Sequence, residues 1–324
     1  MQAYVLTSYS GPDGLTRTDV PEPECDDGHL LVDVAAIGVN FPDLLMTRGL
    51  YQHRPELPVV PGCEVAGTVS RAPDGSGFRV GDRVAAFVWD GGFAERARVP
   101  LGSAAKVPDD LGLEAAAAMM VNYQTVHFAL DRRGRLEPGE RVLALGAAGG
   151  IGTAAVQVAR GLGAHVTAGV ANQEQVAVAA AAGADEVVVL EPGFASSVRE
   201  AAGGPIDVVV DPLGDWVFDE ALRTLGPEGR LLVIGFAAGG IPSVKVNRLL
   251  LRNAAVVGVA WGAFLDLDPG LIARQGEVLA QLAREGHVRP VLDDVVTFDE
   301  LPGTLDRLGR GEIRGKAVAR VGRS

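Results

Sequence analysis

The pattern of apolar and polar positions divides this chain into two styles. From residue 121 to 262, short and almost continuously apolar runs alternate with longer segments rich in alanine and leucine. The runs at 142–145, 165–169, 186–190, 206–210, 231–234 and 256–259 lack the strict alternation of a sheet that is wet on one face. Both faces are therefore predicted to be covered, as in a parallel sheet. Intervening stretches such as 153–162, 173–182 and 216–225 have the length of crossover helices. Six such strands predict a doubly wound α/β sheet.

Before about residue 120 the pattern changes. Strand-like runs at 30–39, 65–70, 83–88 and 94–99 are separated by Pro and Gly clusters, with no helix expected between them. This reads as a compact, mostly β domain with irregular connections. The tail returns to mixed structure, helical near 269–285 and 299–308, with a strand at 317–321. It is too short to fold alone and is expected to complete the first domain. The expected organisation is thus residues 1–120 with 263–324, and residues 121–262, with the active site in the cleft between the two.

One stretch of the second region carries chemistry. RVLALGAAGGIGTAAV (141–156) reads as strand, glycine-rich turn and helix start. A turn with few Cβ atoms lets backbone approach a pyrophosphate, and the first amides of the helix point at its negative charge. Gly149, Gly150, Ile151 and Gly152 are the expected cradle. The alternative is a tight strand–helix turn that binds nothing, but the order of strand, turn, helix and strand favours the dinucleotide reading.

Bulk properties narrow the class further. At 324 residues and 48% hydrophobic, the chain has material for two cores. A formal charge of −12 argues against nucleic acid or an anionic membrane as the main partner. Two cysteines, Cys25 and Cys63, exclude a disulfide framework and a cysteine-rich zinc site. No secretory leader and no apolar run of about 20 residues is visible, so a cytoplasmic protein is expected.

With the glycine loop placed, the chain resembles the medium-chain dehydrogenase/reductase superfamily, and within it the zinc-independent quinone oxidoreductase branch. The matching segments are GVNFPDLL (38–45), LPVVPGCEVAG (57–67), VGDRV (80–84), GGFAE (91–95), NYQT (122–125), GAAGGIG (146–152), DVVVDPLG (207–214), GRLLVIGFAAGG (229–240) and VGVAWG (257–262). A weaker terminal pattern falls at 315–318. The resemblance implies a GroES-like β domain joined to a Rossmann domain, an NADPH-linked reductase acting on a quinone or α,β-unsaturated carbonyl, and a homodimer. Related alternatives are an enoyl-thioester reductase and, from another class, a non-catalytic NADPH-binding protein of crystallin type.

The resemblance also implies roles for single residues. Zinc-dependent members place a Cys where this chain has Asn40, and a His where it has Cys63 before Glu64. They also carry a four-cysteine lobe that is absent here, so a zinc-free site is expected. Asn40 would lie beside the nicotinamide, its amide offering two donors and an acceptor. Asp43 would position the same region, or simply act as a carboxylate at a helix start. Tyr51 would stack on or hydrogen-bond to the acceptor, unless it is a loop aromatic packed under a lid. Thr125 would sit near the nicotinamide ribose, or bond to its own helix backbone. Gly235, Phe236 and Ala237 follow a predicted strand, where open sheets bind ligands. Lys316 would reach a cofactor phosphate, or be an exposed lysine at a strand start.

Cofactor choice is read just past the second strand. No carboxylate stands at Ala171–Asn172 to hold a ribose 2′-hydroxyl, which removes the usual NAD partner. The hydroxyls and the lysine that the resemblance would place near Asn172 and Gln175 for a 2′-phosphate are absent too, and Leu190 replaces an expected tyrosine. NADPH is the expected cofactor, with NADH as the alternative.

Overall fold

A computed structural model describes residues 1–322. The chain begins with strands β1 (Gln2–Leu6), β2 (Leu15–Asp19) and β3 (His29–Val39), followed by helix α1 (Phe41–Thr47). Strands β4 (Glu64–Arg71), β5 (Arg83–Phe87), β6 (Arg96–Pro100) and β7 (Ala104–Lys106) and helices α2 (Leu113–Ala117) and α3 (Asn122–His127) come next. Then β8 (Arg141–Leu145), α4 (Gly150–Gly161), β9 (His165–Val170), α5 (Val176–Ala181), β10 (Glu186–Val189), α6 (Ala195–Ala201), β11 (Ile206–Asp211), α7 (Asp215–Thr224) and β12 (Leu225–Val233) alternate. Helix α8 (Asn247–Leu250), β13 (Ala255–Gly258), α9 (Trp261–Phe264), α10 (Leu271–Arg284), β14 (Leu292–Thr297), α11 (Leu301–Gly309) and β15 (Lys316–Arg320) complete it.

The chain divides into two compact units. The first holds Met1–Val121, Pro269–Ala273 and the chain from Leu292 onward; the second holds Asn122–Asp268 and Arg274–Val291. In the first, β14, β15, β3, β4, β5 and β7 lie side by side, and β6 also pairs with β3. Among the described residues of this sheet only β14 and β15 run parallel; β3 meets β15, β4 and β6 antiparallel. Register sets the chemistry of this sheet. Glu64 pairs with Phe87, and Ala317, next to Lys316, pairs with Val39, next to Asn40. Three residues distant in sequence are thereby brought to one end of three neighbouring strands.

In the second unit six parallel strands run in the order β10-β9-β8-β11-β12-β13. This is the doubly wound arrangement that the apolar runs predict. Val142 through Leu145 on β8 are all fully buried, as the lack of alternation requires. Burying Leu143 and Leu145 contributes roughly 2–3 kcal/mol each. Among the described residues, no helix is long and apolar enough to cross a membrane.

Two expectations are corrected. The first unit does contain helices between its strands: α1 forms because Asn40 and Asp43 make a reciprocal capping box and Pro42 fits the first turn. The division of the tail also differs, since residues 263–268 and 274–291 pack with the second unit. The reason is α10, whose Gln275 Nε2 donates to the Gln124 carbonyl at 3.0 Å while Leu282 lies against Gly161.

Candidate active site

Within the first unit, side chains from four segments meet at a buried cluster. Asn40 follows β3 and caps α1; Asp43 lies in the first turn of α1; Cys63 precedes β4 and Glu64 starts it; Lys316 starts β15. Glu64 and Asp43 are wholly buried, and Lys316 is 4% exposed. A buried carboxylate is tolerated only when paired and hydrogen-bonded, and Glu64 is both. Its Oε1 accepts from the Val121 amide at 2.7 Å. Its Oε2 accepts from Asn40 Nδ2 at 3.0 Å and from the Lys316 ammonium at 2.5 Å. Lys316 donates also to Asn40 Oδ1. A Cβ on Gly38 would run into the Glu64 carboxylate and the Ala117 carbonyl, so the approach requires glycine there.

Asn40 is therefore committed. One Nδ2 hydrogen goes to Glu64 and the other to the Gly38 carbonyl at 3.0 Å, while Oδ1 accepts from Lys316. Asp43 accepts from the Asn40 amide at 2.8 Å and the Cys63 amide at 3.1 Å. Burial pushes the Asp43 carboxyl up to about 6, against the pull of these bonds and of Lys316. Burial first, then the Asp43 and Glu64 charges, pushes the Cys63 thiol well above its ordinary value. Tyr51, on the loop after α1, feels both Cys63 and Asp43, and chiefly burial pushes its hydroxyl up to about 12. It stays a neutral donor across the physiological range.

This cluster does not suit zinc. A zinc ligand set needs a thiolate or comparable donors with free lone pairs. Here the thiol is held protonated, both Glu64 oxygens are taken, and an ammonium occupies the space between Glu64 and Asn40. The same ammonium corrects the expectation for Lys316. It is turned inward on Glu64 and Asn40 instead of being free for a cofactor phosphate.

In the second unit, residues 146–152 join β8 to α4. Gly146 has φ +61°, in the left-handed region that favours glycine. A Cβ on Gly152 would collide with the Gly146 carbonyl and Ala147 Cα, so this glycine lets the helix start against the turn. Gly149 is the N-cap, and Gly150, Ile151 and Gly152 form the first turn of a twelve-residue helix. Asn172 is exposed just after β9, and the Gln175 side chain accepts from the Ala171 amide at 2.9 Å. Gly235, Phe236 and Ala237 follow β12, and Ala237 donates to the Pro212 carbonyl at 3.0 Å. These groups thus share the carboxyl ends of parallel strands. Asp211 ends β11 and pins the neighbouring turn, accepting from Leu213 at 2.8 Å and Gly214 at 2.9 Å. Thr125 is buried on α3, which packs on α4. The backbone-rich turn and its helix N-terminus fit a dinucleotide pyrophosphate.

Of the expected residues, Asn40, Asp43 and Lys316 meet in one cluster, with Tyr51 at its side. Gly149, Gly150, Ile151 and Gly152, with Asn172 and the segment Gly235, Phe236 and Ala237, line the ends of neighbouring strands in the other unit. The sequence presents Cys63 and Glu64 only as two metal ligands without a third, and their part in the cluster is not visible there. Their position before Val65 was legible, but the partner of Glu64 lies 252 residues away.

Comparison with known proteins agrees with this architecture. Residues 26–109 match the model of the alcohol dehydrogenase GroES-like domain, and residues 150–274 match that of the zinc-binding dehydrogenase family. The chain is 35% identical to quinone oxidoreductase-like protein 2 of Bos taurus, covering 89% of this chain and 83% of that protein. A probable oxidoreductase from Mycobacterium abscessus is 46% identical and superposes with a TM-score of 0.90, covering 99% of both chains. The quinone oxidoreductase of Thermus thermophilus, also solved in complex with NADPH, is 38% identical with a TM-score of 0.86, covering 99% of this chain and 100% of that one.

Proposed function

The chain belongs to the quinone oxidoreductase branch of the medium-chain dehydrogenase/reductase superfamily, a branch of oxidoreductases, and on that premise we propose that it is an NADPH-dependent reductase. The reading extends to a reductase of quinones or α,β-unsaturated carbonyls that works without zinc. The observation that carries it is the Lys316 ammonium bonded to Glu64 and Asn40 in a buried cluster that does not suit a metal.

NADPH, when bound, supplies the hydride. The amides of Gly150, Ile151 and Gly152 would hold its pyrophosphate, with Thr125, Asn172 and the segment Gly235, Phe236 and Ala237 along its length. Asn40 would stand beside the nicotinamide, held in place by Glu64 and Lys316. Asp43 fixes Asn40 through the cap of α1. Tyr51, neutral because its hydroxyl is pushed up to about 12, donates to the acceptor oxygen as negative charge develops there. We also propose a homodimer. Strand β13 is an open sheet edge, and Val246, Leu250 and Leu251 nearby are all more than 70% exposed.

A screen of NADPH and NADH oxidation against 1,4-benzoquinone, 9,10-phenanthrenequinone, simple enones and crotonyl-CoA tests this reading. NADPH oxidation by quinones or enones is expected. Turnover confined to crotonyl-CoA would replace it with the thioester reductase. Binding of NADPH with no turnover would replace it with a binding protein.

A further inference from the structure

A histidine–carboxylate pair joins the loop that carries Tyr51 to the turn that follows β5. Just past the end of β5 comes Val88, whose amide donates to the Cys63 carbonyl at 3.0 Å. The chain then turns through Trp89 and Asp90 and returns along residues 60–62. Gly91, Gly92 and Phe93 donate to the carbonyls of Val60, Gly62 and Pro61 at 2.6, 3.0 and 2.8 Å. Gly91 at φ +90° and Gly62 at φ +101° allow the tight turn, and a Cβ on Gly62 would strike Phe93. Trp89 and Asp90 are thereby fixed within two residues of the backbone contact to Cys63.

Onto this turn docks the loop that carries Tyr51. His53 Nε2 lies 3.1 Å from Asp90 Oδ2, and the His53 ring stacks obliquely on Trp89 with centroids 5.3 Å apart. Trp89 in turn meets Phe87 edge-on at 5.1 Å. The carboxylate is an acceptor only, so Nε2 carries a proton, and Nδ1 makes no hydrogen bond among the described residues. The His53 side chain keeps 31% of its surface exposed. The ring is thus held on one face and at one nitrogen, with the other nitrogen open. The charged and titratable groups around it are Asp90 opposite, Tyr51 two residues before it, and Arg54, whose guanidinium lies over the Tyr9 ring at 4.8 Å.

We propose that His53, oriented by Asp90, delivers the proton that completes reduction of the acceptor. The inference rests on the reductase reading above. Once a conjugated acceptor has gained a hydride at carbon, its displaced electron pair resides on oxygen. The imidazolium Nδ1–H bond breaks, an O–H bond forms, and the N–H electron pair remains on nitrogen. Solvent then returns a proton to Nδ1, while Nε2–H stays on Asp90 throughout. The geometry has the logic of a histidine whose far nitrogen is fixed by a carboxylate. Tyr51 cannot fill this role as readily, because its hydroxyl holds its proton up to about 12.

The test compares wild type, His53→Gln and Asp90→Asn with NADPH and a simple enone from pH 5 to 9, after circular dichroism establishes folding. The wild-type kcat is expected to fall as pH rises across this range. His53→Gln should lose that limb and lower kcat by about tenfold to a hundredfold, short of the full general-acid effect because water can substitute. Added imidazole should restore part of the rate. Independently of activity, histidine-ring NMR of the cofactor-free protein should show the His53 Nε2–H resonance moving in Asp90→Asn. An active wild type whose kcat and pH profile are unchanged by His53→Gln overturns this proposal alone. A His53 Nε2–H resonance indifferent to Asp90→Asn overturns the orienting pair. A wild type inactive with every quinone and enone overturns the reductase reading and this one with it.

Discussion

In the first unit, Glu64, Lys316, Asn40, Asp43 and Cys63 crowd a water-poor space with charges and side-chain hydrogen bonds. In the second unit, residues 146–152 present little but backbone. The two centres fail in different ways. A side-chain cluster depends on every partner, since removing one leaves another buried and uncompensated. A backbone cradle depends on empty space, since its donors survive most substitutions but an added methyl group does not fit. The first is therefore sensitive to deletion and to pH, and the second to addition.

The largest expected effect tests the first half of that contrast. Lys316→Met leaves the wholly buried Glu64 without its ammonium and should cost about 4 kcal/mol in urea unfolding. The double variant Glu64→Gln, Lys316→Met should regain at least half of it. A double variant as unstable as the single one would mean that the two residues do not act as a pair. Next in size, Gly152→Ala drives a Cβ into the Gly146 carbonyl and should cost about 3 kcal/mol. It should also weaken NADPH binding at least tenfold in a fluorescence titration, and wild-type affinity would contradict the cradle.

Asp43 gives an effect of about 2 kcal/mol with a definite sign. Its carboxyl is held at about 6 in the folded protein, above its unfolded value, so folding favours the protonated form. That contribution is fully present below about pH 4 and is lost as pH rises through about 6. Wild type should thus lose stability relative to Asp43→Asn between pH 4 and 7, as read from urea midpoints. A constant difference would place the ionised form in the native state. The smallest effect concerns the exposed end of the cradle. Gln175→Lys puts a cation beside Ala171 and Asn172, and should shift the ratio of NADPH to NADH affinity about threefold to tenfold toward NADPH, or about 1 kcal/mol. No shift would mean that this loop does not read the 2′-phosphate.

Legibility follows the same division. The parallel sheet was readable because burial on both faces makes each strand a continuous apolar run, as Val142 through Leu145 show. Helix α1 escaped the pattern because seven residues opened by a capping box carry too short a period to be seen. Helix α10 was visible as a helix, yet its allegiance was not, because Gln275 and Leu282 find partners that no local signal names. Lys316 at a strand start looks solvent-facing until register places it beside Asn40 and Glu64. His53 and Asp90 lie 37 residues apart on two loops, with nothing in either segment to announce the other.

Local sequence was enough for the alternation of the second unit, the glycine turn and the absence of the usual zinc ligands. Each of these is written in residues close together in the chain, where backbone sterics and burial periodicity act. That Lys316 turns inward, that the Asn40 amide is used up and that His53 leans on Asp90 came from the folded packing alone. Those outcomes depend on desolvation, which makes a buried charge seek its partner across any sequence distance. Which residue is near enough to answer is set by strand register and loop docking, not by the residue's own neighbours.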